Sequence, residues 1–299
     1  MVAGQDDPVV QHRRLRLELR RLRQESGLTQ RDVAREMDWS TSKLVRIESG
    51  EVRISSNDLR ALLRHYGVRG KQRIDAFVDM ARAARKETLT DFRDVYSSAF
   101  LKFIGFETSA RIIRVYDSLL VPGLLQTEQY ARNVLATAGP GRVGYTSSDG
   151  STAAASIAER RWLVRRRRQE LHDRDDPPDM FFVLDEAVIR RRVGGTEVMR
   201  EQLARLLEWQ RRPHITLRIL PFELGAYPGM RRPFMMLDFL SPSDDELLYL
   251  EDVDEDESTL QDSPEKTGFF IDLFLRLEER ALAAQDSCRL IEAAIREMR

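Results

Sequence analysis

One stretch near the start of the sequence places small hydroxyl side chains one helical turn ahead of an arginine. Hydroxyl groups and a guanidinium can hydrogen-bond to base edges, and small residues at the start of a helix allow it to enter a DNA major groove. Thr41, Ser42 and Arg46 are therefore predicted to reach base edges. Gln30 and Lys43 are predicted to hold phosphates, because an amide and an ammonium both donate hydrogen bonds. The full set of predicted DNA-contacting residues is Gln30, Ser40, Thr41, Ser42, Lys43 and Arg46.

Two short helices joined by a tight turn must position these side chains. Thr29 and Asp32 have the spacing of a capping box at the start of the first helix. Residues 38–39 leave room only for a turn, Ser40 can cap the second helix, and Gly50 marks its end. The inward faces are predicted from the helical spacing of Val33, Ala34, Met37, Leu44 and Ile47.

These residues resemble the helix-turn-helix of the lambda-repressor-like, or Xre-type, regulators. The likeness extends over roughly residues 1–85 and is carried by Leu28-Thr29-Gln30, Ala34, the helix capped by Ser40, and Ile47-Glu48-Ser49-Gly50. It implies a compact five-helix DNA-binding domain whose second short helix, from Ser40 to Glu48, lies in the major groove. The alternative is an ordinary helical hairpin within a core.

Periodic leucines predict three more helices around this pair. The first begins near Pro8, the fourth ends at Tyr66 before Gly67, and the fifth runs from about Lys71 to Lys86. The arginines of the first helix are predicted to be mostly a solvated face, with phosphate contact as the alternative. The predicted core consists of Leu15, Leu19, Leu22, Val33, Ala34, Leu44, Ile47, Leu59 and Leu62.

The composition of the 299 residues, 42% hydrophobic and 32% charged, is typical of a soluble globular protein with two domains, which we place at 1–86 and 87–299. Residues 1–86 hold 19 Lys and Arg against 12 Asp and Glu, whereas residues 87–299 hold 29 against 37. Because the first domain is basic and the second is acidic, the first domain is expected to attract DNA phosphates. We expect a cytoplasmic protein, because there is no signal peptide, no apolar run of the ~18 residues that a membrane span needs, and a single cysteine, Cys288.

The second domain is predicted to be α+β, so that the whole chain is mainly α with an α+β part. Its small sheet is expected to have about four strands. The strands are placed at 180–184, 215–220, 234–240 and 247–253, the last two as a hairpin.

Aromatic residues spaced three or four apart from Phe92 to Phe106 predict a helix, and we extend the helical assignment through Val115. A final long helix is predicted from Pro264, with Phe269 among its inward residues. Loops are predicted at 138–151, which includes a glycine-rich run, and at the acidic residues 252–257.

Two polar clusters of the second domain allow more than one interpretation. Six arginines between Arg160 and Arg168 could contact nucleic acid, but ion pairing with the domain's own carboxylates is at least as well supported. Asp185 and Glu186 at a strand end could form a pair of catalytic carboxylates. The N-cap and first turn of a short helix is the favoured interpretation.

A second resemblance lies in this domain. Val121-Pro-Gly-Leu-Leu-Gln-Thr127, followed by Tyr130 and Arg132, is similar to the signature of an uncharacterised domain that follows Xre-type units in actinobacterial regulators. Further matches in the same order bring the resemblance to roughly residues 92–285. It implies a regulatory protein and, as a candidate, a small protein partner encoded nearby. It implies no ligand and no chemistry.

No enzyme, cofactor or metal site is predicted. The four histidines are scattered without metal-ligand spacing, and the sequence has no Cys-x-x-Cys, Gly-x-Ser-x-Gly, phosphate loop or dinucleotide fingerprint.

These features predict a sequence-specific, DNA-binding transcriptional regulator with double-stranded DNA as its partner. A homodimer is expected, because one such domain reads only a short half-site. The second domain is predicted to mediate dimerisation and to sense an effector or a partner protein, with a small-molecule pocket above the sheet as one form of sensing. The alternative is an antitoxin-like or co-regulator module, in which docking of a small protein is the main role.

Overall fold

The computed structural model describes residues 7–85, 90–137, 152–239, 246–250 and 259–298. Within them the chain divides into two compact units, one ending at Thr90 and the other beginning at Asp91. The loops predicted at 138–151 and 252–257 lie outside the described residues.

The described part of the first unit consists of five helices. They are α1 (Pro8–Glu25), α2 (Gln30–Glu36), α3 (Thr41–Glu48), α4 (Ser56–His65) and α5 (Lys71–Ala83). All nine predicted core residues are buried, with at most 5% of each exposed. Most of them pack in one hydrophobic cluster that also contains Leu63, Phe77 and Val78. The helical architecture predicted for this segment is therefore confirmed.

Two of the six arginines of α1, Arg20 and Arg21, are exposed, so the prediction of a mostly solvated face was wrong. Arg13 is 3% exposed, and Arg23 turns toward Glu48 of α3. The buried residues of α1 extend beyond its leucine stripe, because Gln11 and Arg13 are buried as well as Leu15, Leu19 and Leu22. Arginines beside that stripe can bury their aliphatic stems while their guanidinium groups find polar partners.

The described part of the second unit contains a six-stranded sheet in the order β3-β2-β1-β4-β5-β6. The strands are β1 (Ile112–Asp117), β2 (Asp179–Asp185), β3 (Ile215–Leu220), β4 (Phe234–Asp238), β5 (Leu247–Leu250) and β6 (Thr259–Gln261). The first three are parallel, and β4 to β6 continue antiparallel from the other side of β1. The predicted α+β class is confirmed, whereas the prediction of about four strands was too low.

The two missed strands have different physical explanations. Helix α6 (Ser98–Ser109) ends at Ala110, whose backbone is extended, so the helix predicted through Val115 was wrong. The next residues form β1, the strand that lies between β2 and β4. Ile113 and Val115 are buried there, and branched side chains suit a pleated, covered surface. The other missed strand, β6, has three residues at the sheet edge, too few for a periodic signal.

Helices lie on both faces of the sheet. The remaining ones are α7 (Glu128–Thr137), α8 (Thr152–Gln169), α9 (Glu186–Arg190), α10 (Thr196–Trp209), α11 (Pro264–Arg280) and α12 (Ala284–Glu297). On one face, Phe274 and Leu277 of α11 share a cluster with Phe234 of β4. On the other face, Phe103 of α6 stacks on Tyr249 of β5 with ring centroids 4.0 Å apart.

Two aromatic predictions need correction. Phe92 lies in a 3-10 turn (Thr90–Phe92) ahead of α6 instead of on the helix. Phe269 was predicted to face inward but is 64% exposed. It lies one residue, or about 100°, around α11 from Phe270, which packs on the sheet cluster. Among the described residues, no helix has both the length and the apolar character needed to cross a bilayer.

Candidate functional site

Helix α3 presents one face to solvent. Its exposed residues are Thr41, Ser42, Val45, Arg46 and, at the C-cap, Ser49. At about 100° per residue these five side chains span an arc of about 140°. Leu44 and Ile47 occupy the opposite face and are buried. The residues predicted to reach base edges therefore share one outer face.

Capping residues determine where α2 and α3 begin. The Lys43 N–H donates to Ser40 Oγ at 3.2 Å, which makes Ser40 the N-cap of α3 as predicted. At the start of α2, the Asp32 N–H donates to Thr29 Oγ1 at 3.2 Å and the Thr29 N–H donates to Asp32 Oδ2 at 3.1 Å. The predicted capping box is thus present.

The turn between α2 and α3 depends on a left-handed residue. Asp38 has φ of 55°, a conformation that aspartate tolerates better than most residues. The Trp39 N–H then donates to the Ala34 carbonyl at 2.8 Å and closes the end of α2. The Trp39 ring packs against the core and carries Lys43 Nζ at 3.9 Å from its centroid. The turn therefore also orients Lys43.

A buried carboxylate locks α3 against α1 and α2. Glu48 accepts hydrogen bonds from Arg23 Nε at 2.7 Å and Nη2 at 3.0 Å, and from Gln30 Nε2 at 2.8 Å. Arg23 Nη1 also donates to the Leu28 carbonyl at 2.9 Å. These bonds fix the rotation of α3 about its axis. Glu48 was not among the predicted site residues, although an acidic residue directly after the inward Ile47 is a detectable signal.

Lys43 and Arg46 have partners that they can exchange easily. Lys43 Nζ lies 3.1 Å from Asp58 Oδ2, with the two side chains 39% and 36% exposed. Arg46 Nε lies 3.6 Å from Glu51 Oε2, with 58% and 62% exposed. Exposed pairs of this kind contribute only about 0–1 kcal/mol. Both cations can therefore turn to another anion at small cost.

The arginines of α8 are turned mainly toward their own unit. Arg168 donates from Nε and Nη2 to the two oxygens of Glu107, each at 2.7 Å, and both residues are buried. Arg165 Nη1 donates to Gln126 Oε1 at 2.7 Å, and Arg160 pairs with Asp94. These contacts match the ion-pair alternative for this cluster better than the nucleic-acid one.

Asp185 is the N-cap of α9 and Glu186 lies in its first turn, which confirms the favoured interpretation of this pair. The Ala187 N–H donates to Asp185 Oδ1 at 2.8 Å at the start of α9. Glu186 accepts from Arg190 Nε and from the Phe222 N–H, both at 2.9 Å. The second Asp185 oxygen accepts a hydrogen bond from the Tyr227 hydroxyl.

The motif at residues 121–127, here called the signature loop, follows β1 and is held by side chains from α7 and α10. The Val121 N–H donates to the Tyr130 hydroxyl at 3.1 Å. Gln202, which is fully buried, accepts from the Thr127 N–H at 2.7 Å and donates to the Leu125 carbonyl at 2.9 Å. The backbone of this loop thus has hydrogen-bond partners although the loop is packed inside the unit.

Two more side chains hold the middle of the signature loop. Gln169 Nε2 donates to the carbonyls of Gly123 at 2.9 Å and Gln126 at 2.8 Å. His172 Nε2 lies 2.9 Å from the Leu124 carbonyl. Burial lowers the pKa of His172 to about 4, so the ring is neutral near pH 7 and its Nε2 carries the donated proton.

Within the described residues, no group of three or more His, Cys, Asp or Glu side chains is placed to hold a metal ion. The two candidate functional elements are the outer face of α3, in the first unit, and the signature loop, in the second unit.

Comparison with known proteins assigns both units. A family model for a helix-turn-helix domain matches residues 14–77, and a model for a domain of unknown function, DUF5753, matches residues 100–293. No curated protein and no solved structure matches the chain. The first unit is an Xre-like helix-turn-helix domain, of the kind found in DNA-binding regulators. The DUF5753 model matches more than half of the length of the chain, so the chain belongs to the DUF5753 family.

Proposed function

We propose that this protein is a sequence-specific, DNA-binding transcriptional regulator in which α3 enters the major groove. The proposal rests on one observation. Helix α3 exposes Thr41, Ser42 and Arg46 to solvent, whereas its residues Leu44, Ile47 and Glu48 are buried in the unit. A groove-reading helix needs this combination, because base contacts require side chains on a rigidly held element.

The residues of α3 have separate roles in this proposal. Thr41, Ser42 and Arg46 hydrogen-bond to base edges. Val45, exposed on the same face, contacts a thymine methyl group. Ser40 lies at the amino end of α3, where backbone N–H groups attract a phosphate.

Gln30 and Lys43 hold phosphates beside the groove. The Gln30 amide carries two N–H donors, so the bond to Glu48 leaves a second N–H for an oxygen of DNA. Lys43 exchanges Asp58 for a phosphate when DNA binds. The amino end of α2 contributes a further phosphate contact.

The regulator acts as a homodimer that binds two half-sites about one helical turn, or about 34–36 Å, apart. The second unit mediates dimerisation and senses an effector or a partner protein. Light scattering of the full chain, free and on DNA, tests the dimer, and a monomer in both states would contradict it.

Replacement of Arg46 by alanine tests the groove assignment. A bidentate contact from arginine to guanine contributes about 1–3 kcal/mol of discrimination. Arg46→Ala should therefore relax base preference at one position in a selection from a randomised double-stranded library. Arg82→Ala, at an exposed arginine of α5, is the matched control and should leave every position unchanged. An Arg46→Ala protein with the wild-type preference would show that α3 does not read the groove in this way.

A further inference from the structure

The second unit contains a cavity of about 100 Å³ at the end of β1, bordered by the signature loop, α6 and α8. We propose that this cavity binds a small uncharged carboxamide. The hydrocarbon part of the ligand lies against Phe100, Phe103 and Tyr249, and its amide group pairs with the side-chain amide of Gln126. The assignment of this ligand as an effector rests on the proposed function, whereas the binding site itself does not.

The cavity lies on the α6 side of the sheet. Val115 of β1 pairs with Met235 of β4, and Met235 pairs with Tyr249 of β5, so these three side chains share one face. Phe103 of α6 stacks on Tyr249, and all four residues line the cavity. Asp117, which ends β1 two residues after Val115, borders it on the same face. The cavity therefore lies at the carboxyl end of a strand, where open sheets commonly bind ligands.

The walls select a hydrocarbon group of limited size. The ring centroids of Phe103 lie 4.0 Å from Tyr249 and 5.8 Å from Phe100, and Val121 and Val134 add aliphatic surface to the lining. An apolar cavity of about 150 Å³ can hold benzene. The space of about 100 Å³ therefore suits a branched aliphatic group, or a single aromatic ring that protrudes in part.

Gln126 provides the polar group that selects an amide. It lines the cavity and is 5% exposed. Its Nε2 donates to the Val121 carbonyl at 2.6 Å, and its Oε1 accepts from Arg165 Nη1 at 2.7 Å. A side-chain amide has two N–H donors and two acceptor lone pairs. With these partners, taken over the residues that the structure describes, one N–H and one lone pair remain. A ligand amide offers the matching acceptor and donor in one planar group.

The two bonds also fix the orientation of the Gln126 amide. A guanidinium only donates hydrogen bonds and a carbonyl only accepts them, so the oxygen must face Arg165 and the nitrogen must face Val121. The donor and the acceptor offered to the ligand therefore have defined positions.

Charged groups of both signs border the cavity and favour an uncharged ligand. Arg168 lines it and pairs with Glu107. Asp117 also lines it, and the N–H groups of Leu119 and Leu120 donate to its Oδ1 at 2.8 and 3.1 Å. An anion would lose its hydration and approach a carboxylate, whereas a cation would lose its hydration and approach a guanidinium. A neutral amide avoids both costs.

The site is preorganised, because the signature loop that carries Gln126 is held by Tyr130, Gln169, His172 and Gln202. A ligand that enters such a rigid site does not have to order the loop first. This explains physically why a polar, hydrogen-bonded motif lies next to an aromatic cavity.

Thermal unfolding of the full chain tests the proposal with named probes. Benzamide and isobutyramide are compared over a concentration series with the carboxylates benzoate and isobutyrate, and with methyl benzoate, which lacks the N–H donor. Both amides should raise the melting temperature, because they bind the folded protein. The carboxylates should not raise it. Methyl benzoate should bind at least about tenfold more weakly than benzamide, because one hydrogen bond to Gln126 is lost.

Replacement of Gln126 by methionine removes the amide and keeps a side chain of similar shape. Gln126→Met should weaken the apparent affinity for both amides at least about tenfold. Gln129→Met, at an exposed glutamine of α7, is the matched control and should keep it within about twofold.

A second variant protects the test against misfolding of Gln126→Met. Gly123 lines the cavity and has no left-handed backbone, and a methyl group there would make only van der Waals contact with Arg165 and Arg168. Gly123→Ala should therefore fold normally and still weaken amide binding by narrowing the cavity. No stabilisation by either amide, equal stabilisation by amides and carboxylates, or amide binding that survives in both Gln126→Met and Gly123→Ala would overturn the proposal.

DNA binding is measured on the same samples with the sequence selected from the randomised library. Gln126→Met should keep this binding, because Gln126 lies outside the helix-turn-helix unit. Amide binding without DNA binding of any sequence would refute the proposed function and leave the cavity assignment standing. Sequence-specific DNA binding without amide binding would refute only the cavity assignment.

Discussion

Each unit contains a buried arginine–glutamate pair, and the two pairs stand behind different surfaces. In the first unit, Glu48 on the buried side of α3 pairs with Arg23 of α1, while the outer face of α3 is open to solvent. In the second, Glu107 pairs with Arg168, which lines a cavity of about 100 Å³ at the end of β1. The same ionic contact therefore supports an exposed helix face in one unit and an enclosed space in the other.

The exposed ion pairs differ from both. Lys43 with Asp58 and Arg46 with Glu51 are more than one-third exposed, so water screens them and they add little stability. A buried pair, by contrast, holds its partners in place, because separating them leaves a charge without solvent. Buried charges therefore position the site elements, whereas exposed charges remain available to bind. Four changes, ordered by expected effect, test that division.

The largest loss of stability is expected for Glu107→Ala. The change leaves the Arg168 guanidinium buried beside Phe100 and Phe103 without its carboxylate. Breaking a buried pair in this way lowers the free energy of unfolding by about 3–5 kcal/mol. Urea unfolding followed by circular dichroism measures it. The control Glu159→Ala, which removes an exposed partner of Arg132, should have little effect, and similar losses for the two variants would remove the distinction between buried and exposed pairs.

Glu48→Ala should cost slightly less, about 3 kcal/mol, because the Arg23 side chain retains some contact with water. It should also weaken binding to all DNA sequences, since α3 loses its bonds to both α1 and α2. Glu51→Ala provides the matched control: it removes the exposed partner of Arg46 and should preserve stability. If Glu48→Ala were as stable as the wild type, α3 would have to be held by its apolar contacts alone.

Features encoded by neighbouring residues could be predicted from the sequence. The caps at Thr29 and Ser40 and the stop at Gly50 involve residues no more than four apart, and each signal is chemical as well as periodic. The core positions of the first unit followed from helical spacing for the same reason. In α3, this local information was sufficient to identify the outer face.

Features that depend on distant residues could not be predicted. Glu48 finds Arg23 across 25 positions, and Glu107 finds Arg168 across 61. β1 is a strand because β2 and β4 pair with it, for example through Ile112 with Asp179 and with Asp238. Before these partners are known, the aromatic spacing that leads into β1 favours a helix. The same limit made the cavity at the end of β1 unpredictable, because its lining residues range from Phe100 to Tyr249 along the chain.

An effect of about 2–3 kcal/mol is expected from the protonation of His172. Burial lowers the pKa of this residue from 6.5 to about 4. Between about pH 6.5 and about pH 4, His172 is protonated in the unfolded chain but still neutral in the folded protein. Proton binding therefore favours the unfolded chain, and the free energy of unfolding should fall as the pH drops through this range. Above pH 6.5 this contribution should be constant.

The measurement is a series of urea unfolding curves from pH 4 to pH 8, for the wild type and His172→Gln. The variant should be less stable at pH 7, where it lacks the ring that meets Leu124 and Trp209. Its pH dependence should be shallower, with the remaining slope including His214, whose pKa burial also lowers. Parallel curves for the two proteins would assign the acid sensitivity to other groups.

The smallest change in stability is expected for Lys43→Gln. This variant also tests most directly whether exposed charges are available to bind DNA. The pair with Asp58 is open to solvent, so the free energy of unfolding should change by less than about 1 kcal/mol. A phosphate contact would nevertheless be lost, and the slope of log affinity against log salt concentration should decrease in magnitude by about 1. Base preference should stay the same, because a phosphate carries no sequence information. Lys102→Gln, at an exposed lysine of α6, should alter neither quantity. A large loss of stability without a change in salt dependence would show that Lys43 positions the structure as the buried charges do. Solvent exposure would then not distinguish charges that bind DNA from charges that hold the fold.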